Sequence, residues 1–125
     1  MSQSLVKNYI HLVFSTKYRE PLINVAIESD LYAYLIGICN QLECQPVKIE
    51  GFPDHIHILY LLSKKIPLIK LVEELKSHSS QWIKTKGDHY LNLFWQGGYG
   101  TFSVNPPEID LNVKYIENQK VITVM

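Results

Sequence analysis

Residues 54–62 read DHIHILYLL, an apolar run that contains two histidines. In a β-strand successive side chains point to opposite faces, so His55 and His57 would lie side by side on one face. The other face would carry four apolar residues, Ile56, Ile58, Tyr60 and Leu62. The run therefore predicts a strand that buries one face in a hydrophobic core and presents two imidazoles on the other.

The segments on either side carry the patterns of a mixed α and β protein. β-Branched and aromatic residues predict a first strand over 6–16, and 46–54 supplies a short strand and a Pro/Gly turn that forms a hairpin with the histidine strand. Apolar residues at helical spacing predict helices over 25–42 and 68–85. One or two further strands are expected over 91–104, around a Gly-Gly turn. The predicted order is β-α-β-β-α-β.

A last helix is expected to run from Pro106 to at least Gln119. Asn105 can cap it, Pro106 suits its first position, and Glu108 stands three residues after the cap, as in a capping box. Tyr115 and Gln119 are four residues apart and would share one face of this helix. With this element the sequence predicts a ferredoxin-like (RRM-like) α+β sandwich, with helices on one side of an antiparallel sheet and an added C-terminal helix.

Length and composition limit the classes of protein to which the chain can belong. The 125 residues are expected to form one domain, residues 1–125, that folds without disulfides or a structural metal. Cys39 and Cys44 match neither a redox motif nor half of a zinc site, so buried, reduced thiols are expected. With neither a signal pattern nor an apolar run of the ~20 residues that a membrane span requires, we expect a cytoplasmic protein with no membrane partner. The formal net charge is zero, so a nucleic-acid role would need a local basic patch.

The two strand histidines are the first candidates for a functional site. Neutral imidazole is a common metal ligand, and His55 and His57 would place two ring nitrogens where one ion can bridge them. The pair alone is a weak signal, because satisfied histidines on half-exposed strands are common. Gln119 could add an amide oxygen and leave positions open on a Mg²⁺ or Mn²⁺ ion for phosphate oxygens or water. Asp54 is expected on the opposite face, away from this set. Tyr115 is either a covalent nucleophile beside the cation or a packing residue.

Four segments resemble, in order, those of the insertion-sequence-200-like transposases: HIHILYLL (55–62), LVEELKSHSSQWI (71–83), LFWQGGYGTFSV (93–104) and YIENQ (115–119). These are the single-tyrosine members of the HUH endonuclease superfamily (insertion sequence 200/605 family). The opening YIHLVFSTKYREPLI (9–23) fits the same family. The resemblance spans about residues 6–119, and the four segments together are far more specific than any one of them.

The resemblance implies an enzyme that cuts and rejoins single-stranded DNA, with hairpins recognised at the ends of the mobile element. The family's paired histidines fall on His55 and His57, its glutamine metal ligand on Gln119 and its nucleophile on Tyr115. The tyrosine would attack a backbone phosphate, form a 5′-phosphotyrosine link and release a 3′-hydroxyl, assisted by Mg²⁺ or Mn²⁺. The family also implies a homodimer in which two sheets join and the tyrosine helix acts in cis or in trans.

Contacts to DNA are expected from two basic segments. Lys17 and Arg19 lie in the turn after the first strand, and Lys76 and Lys84 lie on the second helix. Exposed lysines are more often simply solvated, which is the competing interpretation. No sequence spacing indicates a functional role for the other three histidines, His11, His78 and His89.

The chain departs from the family at its end, and this leaves other hypotheses open. Where the family continues with a charged helical tail, residues 120–125 read KVITVM, an apolar and β-branched ending that predicts a poor helix. One alternative is therefore a catalytically decayed or domesticated relative that binds hairpin DNA without cutting it. Another is a hydrolase unrelated to transposition, in which His55 and His57 hold zinc and a water attacks.

Overall fold

The structure, a computed structural model, describes the backbone of residues 7–124 and the side chains of residues 7–118. Within this part of the chain the elements are β1 (Asn8–Ser15), α1 (Val25–Gln41), β2 (Gln45–Phe52), β3 (His55–Leu62), α2 (Leu68–Ile83), β4 (Gly100–Val104) and α3 (Ile109–Val124). Short 3₁₀ turns cover Lys17–Arg19, Lys84–Lys86, Asp88–Tyr90 and Pro106–Glu108. The predicted order of strands and helices is confirmed.

The four strands form one antiparallel sheet in the order β2-β3-β1-β4. This order is that of a ferredoxin-like sandwich, so the predicted fold class is confirmed. β1 and β3 are the inner strands, and their register places Val13 opposite His57 and His11 opposite Leu59. The long sequence separation between these paired residues matters for the site, because only the folded sheet brings them together.

The hydrophobic core lies between the sheet and the pair α1 and α2. Alternate residues of the two inner strands are buried against apolar stripes of these helices, as the period-2 and helical patterns predicted: Ile10, Leu12, Phe14, Ile56, Ile58 and Tyr60 from the strands, and Leu31, Leu35, Leu71 and Leu75 from the helices. Full burial of one such side chain contributes roughly 1.5–3 kcal/mol. Cys39 and Cys44 are buried and unpaired, as predicted. None of the helices described has the length and apolar character that crossing a bilayer requires.

Helix α3 lies against β2 on the opposite face of the sheet, the face that carries the histidines. On this helix Ile116 is completely buried. An ion pair between Lys48 on β2 and Glu117 on α3, 3.5 Å from Nζ to Oε2, lies beside this contact. The sheet is thus covered on both faces, and α3 brings its polar residues to the histidine face.

Two local predictions were wrong. The capping box does not form, because the Asn105 amide donates to the Glu108 carboxylate at 2.8 Å while 106–108 form a 3₁₀ turn. The ending is not a poor helix, since the backbone of α3 stays helical to Val124; low propensity costs only tenths of a kcal/mol per residue once a helix is nucleated. In 91–104 one strand forms, β4, in agreement with the one or two expected, and the first half of that segment is a loop with a single bridge between Thr16 and Trp95.

Candidate active site

Three histidines cluster on the face of the sheet that α3 covers. The alternation along β3 holds as predicted, and the rings of His55 and His57 lie 5.1 Å apart between centroids. His11, which the sequence did not single out, joins them from β1: its Nε2 lies 2.8 Å from Nδ1 of His57. His11 and Val13 share a face of β1, and Val13 pairs with His57, so His11 is a diagonal neighbour of His57.

The ring of His55 is fixed from two sides. Its Nδ1 donates to the Asp54 carboxylate at 2.6 Å, and it stacks parallel on Phe52 with 4.4 Å between ring centroids. The placement of Asp54 on the opposite face was wrong, because Asp54 lies in the turn before β3 and its side chain does not follow the alternation of the strand. With Nδ1 bound to a carboxylate, Nε2 of His55 is the nitrogen left for a ligand.

The carboxylate of Asp54 is itself held between two hydrogen-bond donors. Besides His55 it accepts a hydrogen bond from Nε of Arg19 at 2.9 Å. Burial alone would raise the pKa of Asp54, but the hydrogen bonds from His55 and Arg19 outweigh that effect and keep the pKa below its usual value. Asp54 is therefore ionised at neutral pH and can orient His55.

His57 and His11 are buried, with only 8% and 2% of their surface exposed. Burial, together with the neighbouring charges of His11 and His55, lowers the pKa of His57 to about 4. Burial also lowers the pKa of His11. Both imidazoles are thus neutral at pH 7, and each has one donor and one acceptor nitrogen. Neutral imidazole is the form that binds a metal ion.

Helix α3 completes the cluster with two side chains. Nδ2 of Asn112 donates to Nδ1 of His11 at 3.3 Å, and the ring of Tyr115 meets the ring of His11 edge-on at 6.1 Å between centroids. Oδ1 of Asn112 is buried and has no hydrogen-bond partner among the described residues. The predicted nucleophile and two of the predicted metal ligands, His55 and His57, therefore lie at one site, and His11 is the residue that joins them.

Tyr115 faces a groove of about 840 Å³ that His57 also lines. The phenol is accessible, with about half of the residue exposed. The opposite wall is the glycine-rich segment 96–100, and β4 supplies one side. Exposed aromatic side chains border the groove, Tyr99 and Phe102. A phosphodiester chain in this groove would have access to both the phenol and an imidazole.

The donor set fits a divalent ion that keeps open positions. His55 and His57 each offer one neutral nitrogen, and their other nitrogens are bound to Asp54 and His11. In the part of the chain whose side chains are described, no three His, Cys, Asp or Glu residues are placed to hold an ion by themselves. Gln119 lies on α3 one turn beyond Tyr115, and its side chain falls outside the described residues, so its role as a third ligand stays a prediction.

Two of the four predicted DNA contacts have hydrogen-bond partners within the chain, and their role in DNA binding stays a prediction. Nζ of Lys76 donates to the backbone oxygens of Gln96 and Gly98 at 2.7 and 2.8 Å. Nζ of Lys84 donates to the backbone oxygen of Leu93 at 2.7 Å. These bonds hold the loop that forms the wall of the groove. Burial lowers the pKa of both lysines.

The other two predicted contacts remain available. The side chain of Arg19 is 63% exposed beyond its bond to Asp54, and Nζ of Lys17 lies over the exposed ring of Tyr18, 5.4 Å from its centroid. Tyr18 and Arg19 both have left-handed backbone conformations, with φ of 60° and 56°. Such a conformation is unfavourable for these residue types and is often found at functional sites. Through Asp54 this turn is joined to His55.

Stability is expected to decrease as the pH falls from about 6.5 to about 4. His57 takes up a proton near 6.5 in the unfolded chain but only near 4 in the folded protein, so in this window only the unfolded state gains the proton. The difference corresponds to about 3 kcal/mol of unfolding free energy, and His11 acts in the same direction. Urea denaturation at pH 7, 5.5 and 4 measures this loss of unfolding free energy. The variant His57→Gln should lose less stability over the same range, and an equal loss in the two proteins would contradict the assignment.

Comparison with known proteins gives one family and two similar solved structures. The family model described as "Transposase IS200 like" matches residues 4–119. The crystal structure of a candidate transposase from Deinococcus radiodurans R1 is 25% identical, with a TM-score of 0.73 over 95% of this chain and 98% of that chain. A REP-associated tyrosine transposase bound to a REP hairpin is 16% identical, with a TM-score of 0.72 over 98% of this chain and 73% of that chain, a likeness of fold. No curated protein matches.

Proposed function

Because the chain belongs to the IS200-like transposase family, as its sequence segments predicted, we propose that it cleaves and rejoins single-stranded DNA through a covalent tyrosine intermediate. The observation that carries this proposal is the position of Tyr115. Its ring packs against His11, and His11 is hydrogen-bonded to His57, one of the two predicted metal ligands. A nucleophile and an imidazole pair in one open groove are what attack on a backbone phosphate requires.

In the proposed reaction the phenolic oxygen of Tyr115 attacks phosphorus. A bond forms from that oxygen to phosphorus, and the bond from phosphorus to the 3′ oxygen breaks. The phenolic proton leaves to solvent, which reaches the half-exposed side chain, and the released 3′ oxygen takes up a proton to become a hydroxyl. The product is a 5′-phosphotyrosine link, which conserves the energy of the phosphodiester, so another 3′-hydroxyl can rejoin the strand by the reverse step.

His55 and His57, with Gln119 as the predicted third ligand, would hold Mg²⁺ or Mn²⁺. When bound, the ion would stabilise the negative charge that grows on the phosphate oxygens. The protein orients both imidazoles through their second nitrogens, His55 through Asp54 and His57 through His11. The low pKa of His57 keeps its ring neutral throughout the neutral range, which binding of an ion through one ring nitrogen requires.

Single-stranded DNA carrying a hairpin is the proposed substrate. One related structure holds a REP hairpin, and this chain offers exposed aromatic rings beside its groove on which unpaired bases could stack. Tyr99 and Phe102 are 41% and 59% exposed. Lys17 and Arg19 would contact backbone phosphates, since their turn is joined to His55 through Asp54.

The homodimer is proposed to form along β4. This strand is an edge of the described sheet, with one row of backbone groups open to a second strand, and it exposes Phe102. The opposite edge, β2, carries Pro46 and a bulge between Pro46 and Lys48, which makes it a poorer edge for pairing.

In the structure α3 lies on its own sheet, which is the cis arrangement. The segment 104–107, with its two prolines, is a stiff boundary at which α3 could be exchanged with a partner.

The proposal is tested by denaturing electrophoresis. The purified protein is incubated with single-stranded hairpin oligonucleotides from the DNA that flanks its own gene, with Mg²⁺ or Mn²⁺ and, in parallel, with chelator. A band that survives denaturation and depends on the ion is expected. A complex on native gels that never becomes covalent would indicate the decayed, binding-only relative. Tightly held zinc with no bound DNA would indicate the hydrolase.

Lysine substitutions should separate DNA contact from loop support. Lys17→Ala is expected to weaken DNA binding and to reduce the slope of log K against log salt by about 0.7, with no change in melting temperature. Lys76→Ala should instead lower the unfolding free energy by about 1–2 kcal/mol, because it removes two hydrogen bonds to loop carbonyls. Fluorescence anisotropy at several salt concentrations and thermal denaturation measure both effects. If Lys76→Ala weakened DNA binding and Lys17→Ala did not, the DNA contact would be assigned to Lys76.

A further inference from the structure

We infer that Asn112 and His11 form a relay that decides which nitrogen of His57 carries the proton, and that docking of α3 thereby controls metal binding. This inference rests on the proposed function. Asn112, His11 and His57 are joined in a line by contacts of 3.3 and 2.8 Å. Both nitrogens of His11 are used, and it is almost completely buried, so water does not replace either partner.

The relay leaves a single nitrogen of His57 for a ligand. Nδ1 of His57 faces His11, so an ion can be bound only by Nε2. Nε2 has a free lone pair only when the proton of the neutral ring is on Nδ1. His57 must then donate to His11, which in turn must accept through its Nε2.

Asn112 determines which direction the relay takes. With Nδ2 toward His11, as in the structure, His11 accepts at Nδ1 and donates from Nε2, so His57 carries its proton on Nε2 and has no lone pair for an ion. With Oδ1 toward His11, His11 donates from Nδ1 and accepts at Nε2, so both hydrogen bonds of the relay change direction. The proton of His57 then lies on Nδ1, and Nε2 is free.

Rotation of the Asn112 amide by 180° converts one state into the other without moving any other heavy atom. Oδ1 is buried with no partner among the described residues, and rotation turns it toward His11. In either orientation one amide atom lacks a partner among the described residues, so burial does not favour one orientation over the other. An ion bound at Nε2 of His57 selects the rotated state.

The relay connects a side chain of α3 with two histidines of the sheet. Asn112 and Tyr115 lie on the same helix, less than one turn apart, so α3 brings the nucleophile and the relay to the sheet together. When α3 leaves its own sheet, His11 loses its partner at Nδ1 and the proton position on His57 is no longer set. Affinity for the ion is then tied to the presence of the tyrosine in the site.

Three substitutions in the full chain test the relay. Asn112→Asp supplies only an acceptor, so His11 must donate from Nδ1 and accept at Nε2. His57 then carries its proton on Nδ1, and its Nε2 is free to bind an ion. Asn112→Leu has similar volume and neither donor nor acceptor. Asn118→Asp adds the same charge to the same helix at an exposed position and serves as the matched control. The readout is the Mn²⁺ dissociation constant, from electron paramagnetic resonance without DNA.

Asn112→Leu is expected to weaken Mn²⁺ binding by about 10–100-fold, the usual effect of losing an outer hydrogen-bond partner of a ligand. Asn112→Asp should bind at least as tightly as the wild type, and Asn118→Asp should match the wild type. A purely structural role of the amide would instead weaken binding in Asn112→Asp as well, and that result would overturn the relay.

Nitrogen-15 NMR of the metal-free proteins gives a second readout that does not depend on affinity. His57 should carry its proton on Nε2 in the wild type and on Nδ1 in Asn112→Asp. If the proton position is the same in both, the relay is wrong, even where DNA capture and Mn²⁺ binding are intact. If the wild type binds no Mn²⁺, the metal role in the proposed function fails, and the NMR comparison still decides whether the relay exists.

Discussion

Replacement of Tyr115 by phenylalanine is expected to reduce covalent capture of single-stranded DNA by more than about a thousandfold, because it removes the only atom that forms the bond to phosphorus. The ring that packs against His11 remains, and the side chain is half exposed, so folding and DNA binding should not change. Capture is measured with a labelled hairpin oligonucleotide on a denaturing gel, and binding with the same oligonucleotide on a native gel.

Tyr34 provides the matched control for this substitution. It lies on α1, where it stacks on Trp82 with 4.7 Å between ring centroids, and it does not line the groove. Tyr34→Phe should therefore keep full capture. If Tyr115→Phe still captures DNA, or if Tyr34→Phe loses capture, the assignment of the nucleophile is wrong.

The second large effect is expected from His57→Gln, which should weaken Mn²⁺ binding by at least about 100-fold and remove ion-dependent capture of DNA. Loss of an outer partner of a ligand already costs 10–100-fold, and this change removes a ligand itself. Glutamine is close in size and adds no charge to the buried position. Isothermal titration with Mn²⁺ measures the affinity.

His78→Gln is the control for this second change. His78 is an exposed histidine on α2 that is paired with Glu74, and it does not line the groove. Its replacement should leave both Mn²⁺ affinity and capture unchanged. An unchanged affinity in His57→Gln would show that the ion, if it binds, is held elsewhere.

Local patterns were sufficient for much of the fold. The alternation over 55–62 predicted which face of β3 packs on the hydrophobic core, and it held because α1 and α2 cover that face. It gave no sign that His57 and Leu59 on the other face are buried too. The helical spacing over 25–42 and 68–85 located α1 and α2 to within two residues. Propensity at the chain's end was a poorer guide, since helix continuation outweighed the β-branched residues there.

The site was only partly predictable, for a different reason. His55, His57 and Tyr115 were found from spacing and family resemblance, but His11 is 46 residues from its partner His57 and becomes visible only through the pairing of β1 with β3. Nor does sequence show where a long side chain ends. Lys76 was predicted as a DNA contact, and nothing in the sequence indicated that its ammonium group also binds loop carbonyls. Asp54 was assigned to the wrong face because a turn residue does not obey strand alternation.

Mass spectrometry of the covalent complex tests the central claim most directly. After capture of an oligonucleotide and digestion of the DNA, trypsin should release Tyr115–Lys120, because Lys114 precedes it. This peptide is expected to carry a phosphate-linked nucleotide on Tyr115. A nucleotide on residues 87–114, which contain Tyr90 and Tyr99, would contradict the claim, as would a covalent complex in which Tyr115–Lys120 is unmodified.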